Sequence, residues 1–190
     1  MMNFRLWSII VGAVSFLFAI TRSQAVHAEE PSAAVAAGLT ITENEALGLV
    51  ALNKLAYPSL GPLPDSVVMA TISVESSFDP NAIAPAGEVG LMQVIVPRTW
   101  QDVINRSTLS GNLDPYRPKD NILVGMHYLR LVKAELKAAG MLSGNEAADW
   151  ALIDQAYNMG PAGVKQGRRN ESRMGRFIIA RTKYQRAGLA

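Results

Sequence analysis

The chain has 190 residues, of which 49% are apolar, and a formal net charge of +2 at pH 7. This length and apolar content are typical of one globular domain with a buried core. The chain contains no cysteine, which excludes disulfide crosslinks, cysteine metal sites and a lipidated cysteine anchor.

Residues 1–28 have the pattern of a secretory signal peptide. Arg5 precedes the apolar run 6–20, and a polar stretch then leads to Val26-His27-Ala28, with small residues at the two positions that determine cleavage. The run is shorter than the ~18 residues of a membrane-spanning helix, and an uncleaved anchor is the alternative. We therefore predict export to the periplasm, with a flexible lead over residues 29–41.

Basic residues concentrate at the C-terminal end. Without residues 1–28 the chain carries 16 basic and 16 acidic side chains and is nearly neutral. From Lys165 onward there are eight basic residues and one acidic residue, Glu171. A basic last helix is predicted at about 175–186, followed by a tail at 187–190. This end could contact anionic wall polymers or lipid headgroups, and the solvated face of a terminal helix explains the pattern equally well.

The first two predicted helices have clear start and stop signals. A capping-box pattern over Thr42-Glu43-Asn44-Glu45 opens the first helix, which Tyr57-Pro58 ends. Apolar residues at helical spacing predict a second helix after Pro64. It should end at or before Asp79, because Pro80 restricts that residue.

Three further helices are predicted before the basic one. Pro97 begins the third helix, and Asp120 is predicted to cap the fourth. A second capping box over Ser143-Gly144-Asn145-Glu146 is predicted to open the fifth helix, which the segment 160–163 breaks.

The pattern as a whole predicts a mainly α fold in a single domain over residues 42–186. A short irregular hairpin is expected within residues 81–90, where proline and glycine replace helical periodicity. Gly125, inside the fourth helix, is predicted to allow a close helix contact.

Glu75 is the candidate catalytic residue. It lies near the end of the second predicted helix, among apolar neighbours and at the negative end of the helix dipole. Both effects disfavour the ionised form and raise the pKa of the carboxyl group. A carboxyl group that stays protonated near neutral pH can serve as the general acid that cleaves a glycosidic bond.

Four ordered blocks of sequence carry a family resemblance. They are Glu75-Ser76-Ser77-Phe78, Gly90-Leu91-Met92-Gln93, the set Asn121, Ile122, Gly125, Tyr128 and Leu129, and Ala156-Tyr157-Asn158-Met159-Gly160-Pro161. Together they resemble the soluble lytic transglycosylase (SLT) domain, from about Leu47 to about Tyr184. The resemblance implies an α+β, goose-lysozyme-like fold with its hairpin beside a catalytic cleft, and activity on the glycan strands of peptidoglycan.

The resemblance also implies a mechanism. Glu75 would protonate the glycosidic oxygen and then take the proton of the substrate's 6-hydroxyl, giving 1,6-anhydro-N-acetylmuramic acid. The substrate's own 2-acetamido group and 6-hydroxyl would replace a second carboxylate. The substrate-binding residues carried over from the family are Ser76, Met92, Gln93, Tyr157 and Asn158.

Two further carboxylates and one substitution stand near the candidate acid in sequence. Asp79 is expected to form a turn before Pro80, and Glu88 stands where the family usually has a small residue. Ala84 replaces a serine that commonly contacts substrate in the family. We expect this loss to weaken one sugar contact by about 0.5–1.5 kcal/mol and to leave the reaction type unchanged.

Two other functions remain open on the sequence alone. A lysozyme-type hydrolase differs only in that water attacks, and a second carboxylate in the cleft would favour it. A non-catalytic peptidoglycan-binding module is the other alternative. The retention of Glu75, Tyr157 and Asn158 argues against such a module.

The expected partners are peptidoglycan glycan strands. Small members of the family often serve secretion, conjugation or flagellar complexes of the envelope, so a partner of that kind is a further expectation. We expect a monomer with no cofactor and no nucleic acid partner. A metal or nucleotide site is not expected, because the chain has no cysteine, His127 stands alone once His27 is removed with the signal, and no glycine-rich loop follows a strand.

The signal-peptide hypothesis predicts a mature N-terminus at Glu29. Mass spectrometry of the protein from the periplasmic fraction should detect this terminus, because signal cleavage follows the small residue Ala28. Cytosolic protein that retains Met1 would contradict the hypothesis.

Overall fold

The computed structural model describes residues 41–107 and 109–189, so the predicted signal peptide and nearly all of the predicted lead lie outside the described residues. The described part contains six α-helices, a 3₁₀ turn at Pro58–Leu60 and one two-stranded antiparallel sheet. In chain order the elements are α1 Glu43–Ala56, α2 Asp65–Ser76, β1 Glu88–Val89, β2 Val94–Ile95, α3 Arg98–Arg106, α4 Pro118–Ala138, α5 Glu146–Lys165 and α6 Glu171–Arg186. The predicted fold class, mainly α with a short hairpin, is confirmed. Within the described ranges, none of the helices has both the length and the hydropathy needed to cross a bilayer.

Helix α2 is the centre of the domain. Its residues from Ser66 to Ile72 are all buried, because α1 and α6 both pack against it. The helix ends at Ser76, and Ser77 and Phe78 adopt left-handed backbone angles, with φ of 53° and 65°. The prediction that this helix stops at or before Asp79 is therefore confirmed, and Glu75 lies in its last turn.

The predicted helix starts were right for α1 and wrong for two others. At α1 the Thr42 hydroxyl accepts from the Glu45 backbone N–H at 3.2 Å, and the Glu45 carboxylate accepts from the Thr42 N–H at 2.7 Å. Asp120 does not cap α4: the helix begins two residues earlier at Pro118, whose fixed φ suits a first helical position. At α5 the capping side chain is that of Asn145, which accepts from the Ala148 N–H.

The hairpin lies further along the chain than predicted. Glu88 pairs with Ile95, and Val89 pairs with Val94. The predicted segment 81–90 contributes β1 and an isolated bridge from Ile83 to Val89. The reason is a long-range contact from α4 that local sequence does not reveal. Asn121 Oδ1 accepts from the Met92 N–H at 2.8 Å, and its Nδ2 donates to the Val89 carbonyl at 2.9 Å.

Gly125 permits a close contact, although the partner is the hairpin turn and not another helix. A Cβ atom at this position would lie 2.7 Å from Met92 Cβ, closer than carbon atoms can pack. Met92 is fully buried there. The absent side chain therefore lets the hairpin sit directly on α4.

The last two helices differ from their predicted bounds. Gly160, with φ of 78°, interrupts α5 as predicted, and helical turns resume to Lys165. Helix α6 begins at Glu171, about four residues earlier than predicted, because Asn170 accepts from the Arg173 N–H and caps it. Arg173 is consequently in the first turn of a helix that packs against α2.

The packing at Gly125 predicts opposite effects for two glycine-to-alanine changes. Gly125→Ala should lower the free energy of unfolding by about 1–3 kcal/mol, because the hairpin must move off α4. The control is Gly48→Ala in α1, where a Cβ meets nothing within 4 Å; it should raise the free energy of unfolding by about 0.5–1 kcal/mol. Chemical denaturation measures both. A stabilising Gly125→Ala variant would contradict the contact.

Candidate active site

A cleft of about 470 Å³ opens between the hairpin, the last turn of α2, the part of α5 next to its break at Gly160, and the start of α6. Its walls come from every major element except α1, and they combine carboxylates, arginines, aromatic rings and amides. The lining residues are Val74, Glu75, Ala84, Glu88, Gln93, Val94, Ile95, Arg98, Thr99, Tyr128, Tyr157, Asn158, Met159, Gly160, Arg173 and Arg176.

Glu75 reaches this cleft from the last turn of α2. Its side chain is 11% exposed. Burial raises the pKa of the Glu75 carboxyl, and this effect outweighs the opposing attraction of the Arg173 guanidinium. The negative charges of Asp154 and Glu88 act in the same direction as burial. A protonated Glu75 is therefore favoured over a wider pH range than for an exposed glutamate.

Arg173 and Asp154 form a buried group behind Glu75 that the sequence analysis missed. Arg173 Nε and Nη2 donate to the two oxygens of Asp154 at 3.0 and 2.7 Å. The same Nη2 donates to Glu75 Oε1 at 2.9 Å. Asp154 precedes Tyr157 and Asn158 by three and four residues, which puts all three on one face of α5. That spacing was a usable signal for Asp154, whereas nothing distinguished Arg173 from the other C-terminal basic residues.

Tyr157 and Asn158 reach the cleft from α5. The Tyr157 hydroxyl donates to the Met92 carbonyl at 2.7 Å, and its ring packs on Tyr128 with centroids 4.9 Å apart. Burial raises the pKa of the Tyr157 hydroxyl, and the nearby Glu75 charge adds to this effect. Tyr157 is therefore neutral and fixes the hairpin turn, while Asn158 lies exposed on the cleft wall.

Gln93 projects into the cleft from the hairpin turn with φ of 47°. Its Nε2 donates to the carbonyls of Ala82 and Gly90 at 2.9 and 2.8 Å. Because both amide hydrogens are used in this way, the amide oxygen is the atom that remains for a ligand.

Two of the predicted substrate-binding residues lie behind the cleft wall. Met92 is buried against Gly125, so its side chain packs in the core and does not line the cleft. Its carbonyl accepts from the Tyr157 hydroxyl. The Ser76 hydroxyl donates to the carbonyls of Leu91 and Ile72. It therefore joins the end of α2 to the hairpin and is not among the lining side chains.

Of the two other carboxylates near Glu75 in sequence, one lies in the cleft. Asp79 forms a local turn by accepting from the Asn81 N–H at 2.9 Å, and it is not in the lining. Glu88 lines the cleft together with Ala84. Its Oε2 is buried and has no hydrogen-bond partner within residues 41–107 and 109–189. The sequence analysis noted only that Glu88 stands where the family usually has a small residue, and the hairpin register places this side chain at the site.

The described residues contain no cluster of three or more side chains suited to hold a metal ion. His127 is fully buried in α4, with its ring edge against Tyr57. Burial lowers the pKa of the His127 ring to about 4, so it is neutral in the core.

Comparison with known proteins identifies one family and several relatives. The family described as "Transglycosylase SLT domain" matches residues 61–179. Membrane-bound lytic murein transglycosylase C of Actinobacillus pleuropneumoniae serotype 5b is 32% identical over 102 residues, which are 52% of this chain and 27% of that protein. The protein of the same name from Mannheimia succiniciproducens is 31% identical over 105 residues, 54% of this chain and 29% of that protein. The chain thus spans less than a third of the length of these relatives.

A solved structure is also similar. The crystal structure of the 70 kDa soluble lytic transglycosylase from Escherichia coli matches with a TM-score of 0.48 and 27% identity, over 70% of this chain and 22% of that one.

The raised pKa of Glu75 predicts how a Glu75→Gln variant changes stability with pH. Because the pKa of Glu75 in the folded protein lies above the ordinary glutamate value of 4.5, the folded protein loses stability as pH rises from about 4.5 through the raised pKa. The Gln variant lacks this loss, so its melting temperature should increase relative to wild type across that window. Thermal melts from pH 4 to pH 8 measure the difference.

Glu45→Gln is the control of opposite sign. Hydrogen bonds from the Thr42 N–H and hydroxyl lower the pKa of Glu45 below its ordinary value of 4.5, so this variant should lose stability relative to wild type as pH rises toward 4.5. Its melts therefore extend to more acidic pH than those of Glu75→Gln. A pH-independent difference for Glu75→Gln would show that burial does not perturb the carboxyl group.

Proposed function

Since the chain belongs to the transglycosylase SLT domain family, we propose that it is a peptidoglycan lytic transglycosylase with Glu75 as its acid and base. It cleaves the β-1,4 bond from N-acetylmuramic acid to N-acetylglucosamine and leaves a 1,6-anhydro end. The observation that carries the proposal is the placement of Glu75. A mostly buried carboxyl group with a raised pKa lies at a cleft whose walls include amide and aromatic side chains.

The first step is protonation of the leaving group. Glu75 transfers its proton to the glycosidic oxygen while the bond from that oxygen to C1 of the muramic acid breaks. The 2-acetamido oxygen of the same sugar bonds to C1 and forms a cyclic oxazolinium ion, so the protein supplies no nucleophile. Burial of Glu75 favours the protonated form that this step requires.

The second step returns the proton to Glu75. The carboxylate formed in the first step takes the proton of the 6-hydroxyl, and O6 bonds to C1 as the bond to the acetamido oxygen breaks. The product is the 1,6-anhydro sugar, Glu75 is protonated again, and no water is consumed. One residue therefore serves as acid and then as base, which is efficient only if its pKa lies near the working pH.

The cleft walls supply the remaining interactions. The Gln93 amide oxygen can accept a hydrogen bond from a sugar hydroxyl or acetamido N–H. Asn158 offers an exposed amide beside the rings of Tyr157 and Tyr128. Ala84 lines the same wall without a hydroxyl, which supports the expectation of one weaker sugar contact.

A hydrolase is the second candidate, and Glu88 is the observation that favours it. Glu88 shares the cleft with Glu75 and has a buried oxygen without a partner in the described part of the chain. A second carboxylate could activate water to attack C1 if it lies about 5–9.5 Å from the acid. The lytic reaction is preferred because of the family match.

The cellular setting that we propose is the periplasm. The pattern of residues 1–28 supports export, and the relatives from Actinobacillus and Mannheimia are named membrane-bound lytic murein transglycosylases. We further propose that the enzyme opens the wall locally for an envelope secretion, conjugation or flagellar complex, with the exposed basic residues of α6, Arg176, Lys183 and Arg186, available for docking.

The reaction predicts a defined loss and a defined product. Glu75→Gln keeps the size of the side chain but cannot release a proton, so cleavage of purified peptidoglycan should fall by at least the ~10²–10⁴-fold attributed to general acid–base catalysis. Mass spectrometry of the wild-type digest should detect fragments lighter by one water than lysozyme products, without new reducing ends.

The companion variant Glu88→Gln separates the two candidate reactions. If the lytic reaction is right, this variant still forms anhydro ends. Reducing-end products from wild type, lost in Glu88→Gln, would assign the hydrolase. Full activity in Glu75→Gln would remove Glu75 from either mechanism.

A further inference from the structure

Three helices contribute one charged side chain each to a buried group at the back of the cleft. Arg173, in the first turn of α6, has a side chain that is 4% exposed, and Asp154 of α5 is fully buried at 0%. Arg173 is bound through two nitrogens to Asp154 and through Nη2 to Glu75 Oε1. Two carboxylates thus share one guanidinium.

We propose that Arg173 and Asp154 are positioning residues, which hold Oε1 of Glu75 and leave Oε2 as the atom that exchanges the proton with the glycan. The proposal rests on the function proposed above. It follows from the hydrogen-bond geometry, because the one hydrogen bond to the Glu75 carboxylate from the described residues is made at Oε1. With that oxygen occupied by a cation, a proton resides on the other.

The planar guanidinium is suited to this role. Its Nε and Nη2 edge binds both oxygens of Asp154, which fixes the plane of the group. The second hydrogen on Nη2 then points at Glu75 in a defined direction. A lysine ammonium has no such edge, and it could not hold both carboxylates with the same orientation.

The arrangement also divides the positive charge between the two carboxylates. Arg173 favours the ionised form of Glu75, and Asp154 disfavours it. Removing the Arg173 charge should therefore raise the pKa of Glu75, and removing the Asp154 charge should lower it. The other titratable or charged side chains that face the cleft are Glu88 on β1, Arg98 on α3, Tyr128 on α4, Tyr157 on α5 and Arg176 on α6, and all of them remain in every variant below.

Opposite shifts are the central test. The carboxyl carbons of ¹³C-labelled glutamate are titrated by NMR in the absence of substrate, and the Glu75 signal is assigned by its loss in Glu75→Gln. Asp154→Asn should lower the titration midpoint of the Glu75 carboxyl group, because the full guanidinium charge then faces one carboxylate. This variant leaves no unpaired buried charge and is expected to fold. The double variant Arg173→Gln, Asp154→Asn should raise the midpoint above that of wild type.

Cleavage rates should follow these midpoints. For Asp154→Asn, a midpoint lowered by about one pH unit reduces the protonated fraction, and with it the rate above the midpoint, about tenfold. Arg173→Lys separates orientation from charge: its midpoint should stay close to that of wild type, while kcat falls and KM is unchanged.

Arg181→Gln is the matched control. Arg181 lies on the same helix and is 5% exposed. Its Nη2 lies 2.6 Å from Glu146 Oε1, and neither residue lines the cleft. It should lower the melting temperature without moving the Glu75 midpoint or the pH profile.

The outcomes separate the two proposals. Unchanged midpoints, or shifts in the same direction for Asp154→Asn and the double variant, would overturn the positioning role while the enzyme stays active. Wild-type protein that leaves peptidoglycan intact would overturn the proposed function, and the substrate-free NMR titration would still decide how Arg173 and Asp154 act on Glu75.

Discussion

The buried guanidinium of Arg173 joins α2, α5 and α6 at the point where the cleft opens. Its contacts with Asp154 and Glu75 are all made by side chains that are 11% exposed or less. Removing Arg173 alone would leave two buried carboxylates without their cation, and breaking a buried ion pair in this way generally costs about 3–5 kcal/mol. The packing of α6 on α2 and the state of the candidate acid therefore depend on the same few hydrogen bonds.

A second set of contacts places the hairpin opposite that charged group. Asn121 binds the backbone of Val89 and Met92 in the hairpin, Tyr157 donates to the Met92 carbonyl, and Gly125 lets Met92 sit on α4. These residues can shape the cleft without contacting a substrate. Together they set the direction of Gln93 and Glu88, and so they define the far wall of the cleft across from Glu75.

The chemistry of the cleft reflects a balance of opposing effects. Burial and the neighbouring carboxylates favour protonation of Glu75, and Arg173 opposes them. A residue that must give a proton and later take one back needs both tendencies, because a strongly shifted pKa in either direction would slow one of the two steps. The negative charge of Glu88 also favours protonation of Glu75. The carboxylate that would activate water in a hydrolase therefore also affects the candidate acid.

The sequence by itself determined the mainly α class, the capping box of α1, the end of α2 before Asp79, and the break at Gly160. Each of these depends on residues close together in the chain, through backbone restriction or local hydrogen bonds. The motif blocks also identified Glu75, Gln93, Tyr157 and Asn158, which the structure brings to one cleft. Only the tertiary structure decided that Met92 and Ser76 lie behind the wall, that Glu88 faces the site, and that Arg173 binds Glu75. Arg173 and Glu75 are 98 positions apart in the chain. A contact between them depends on how the helices pack, which no local pattern encodes.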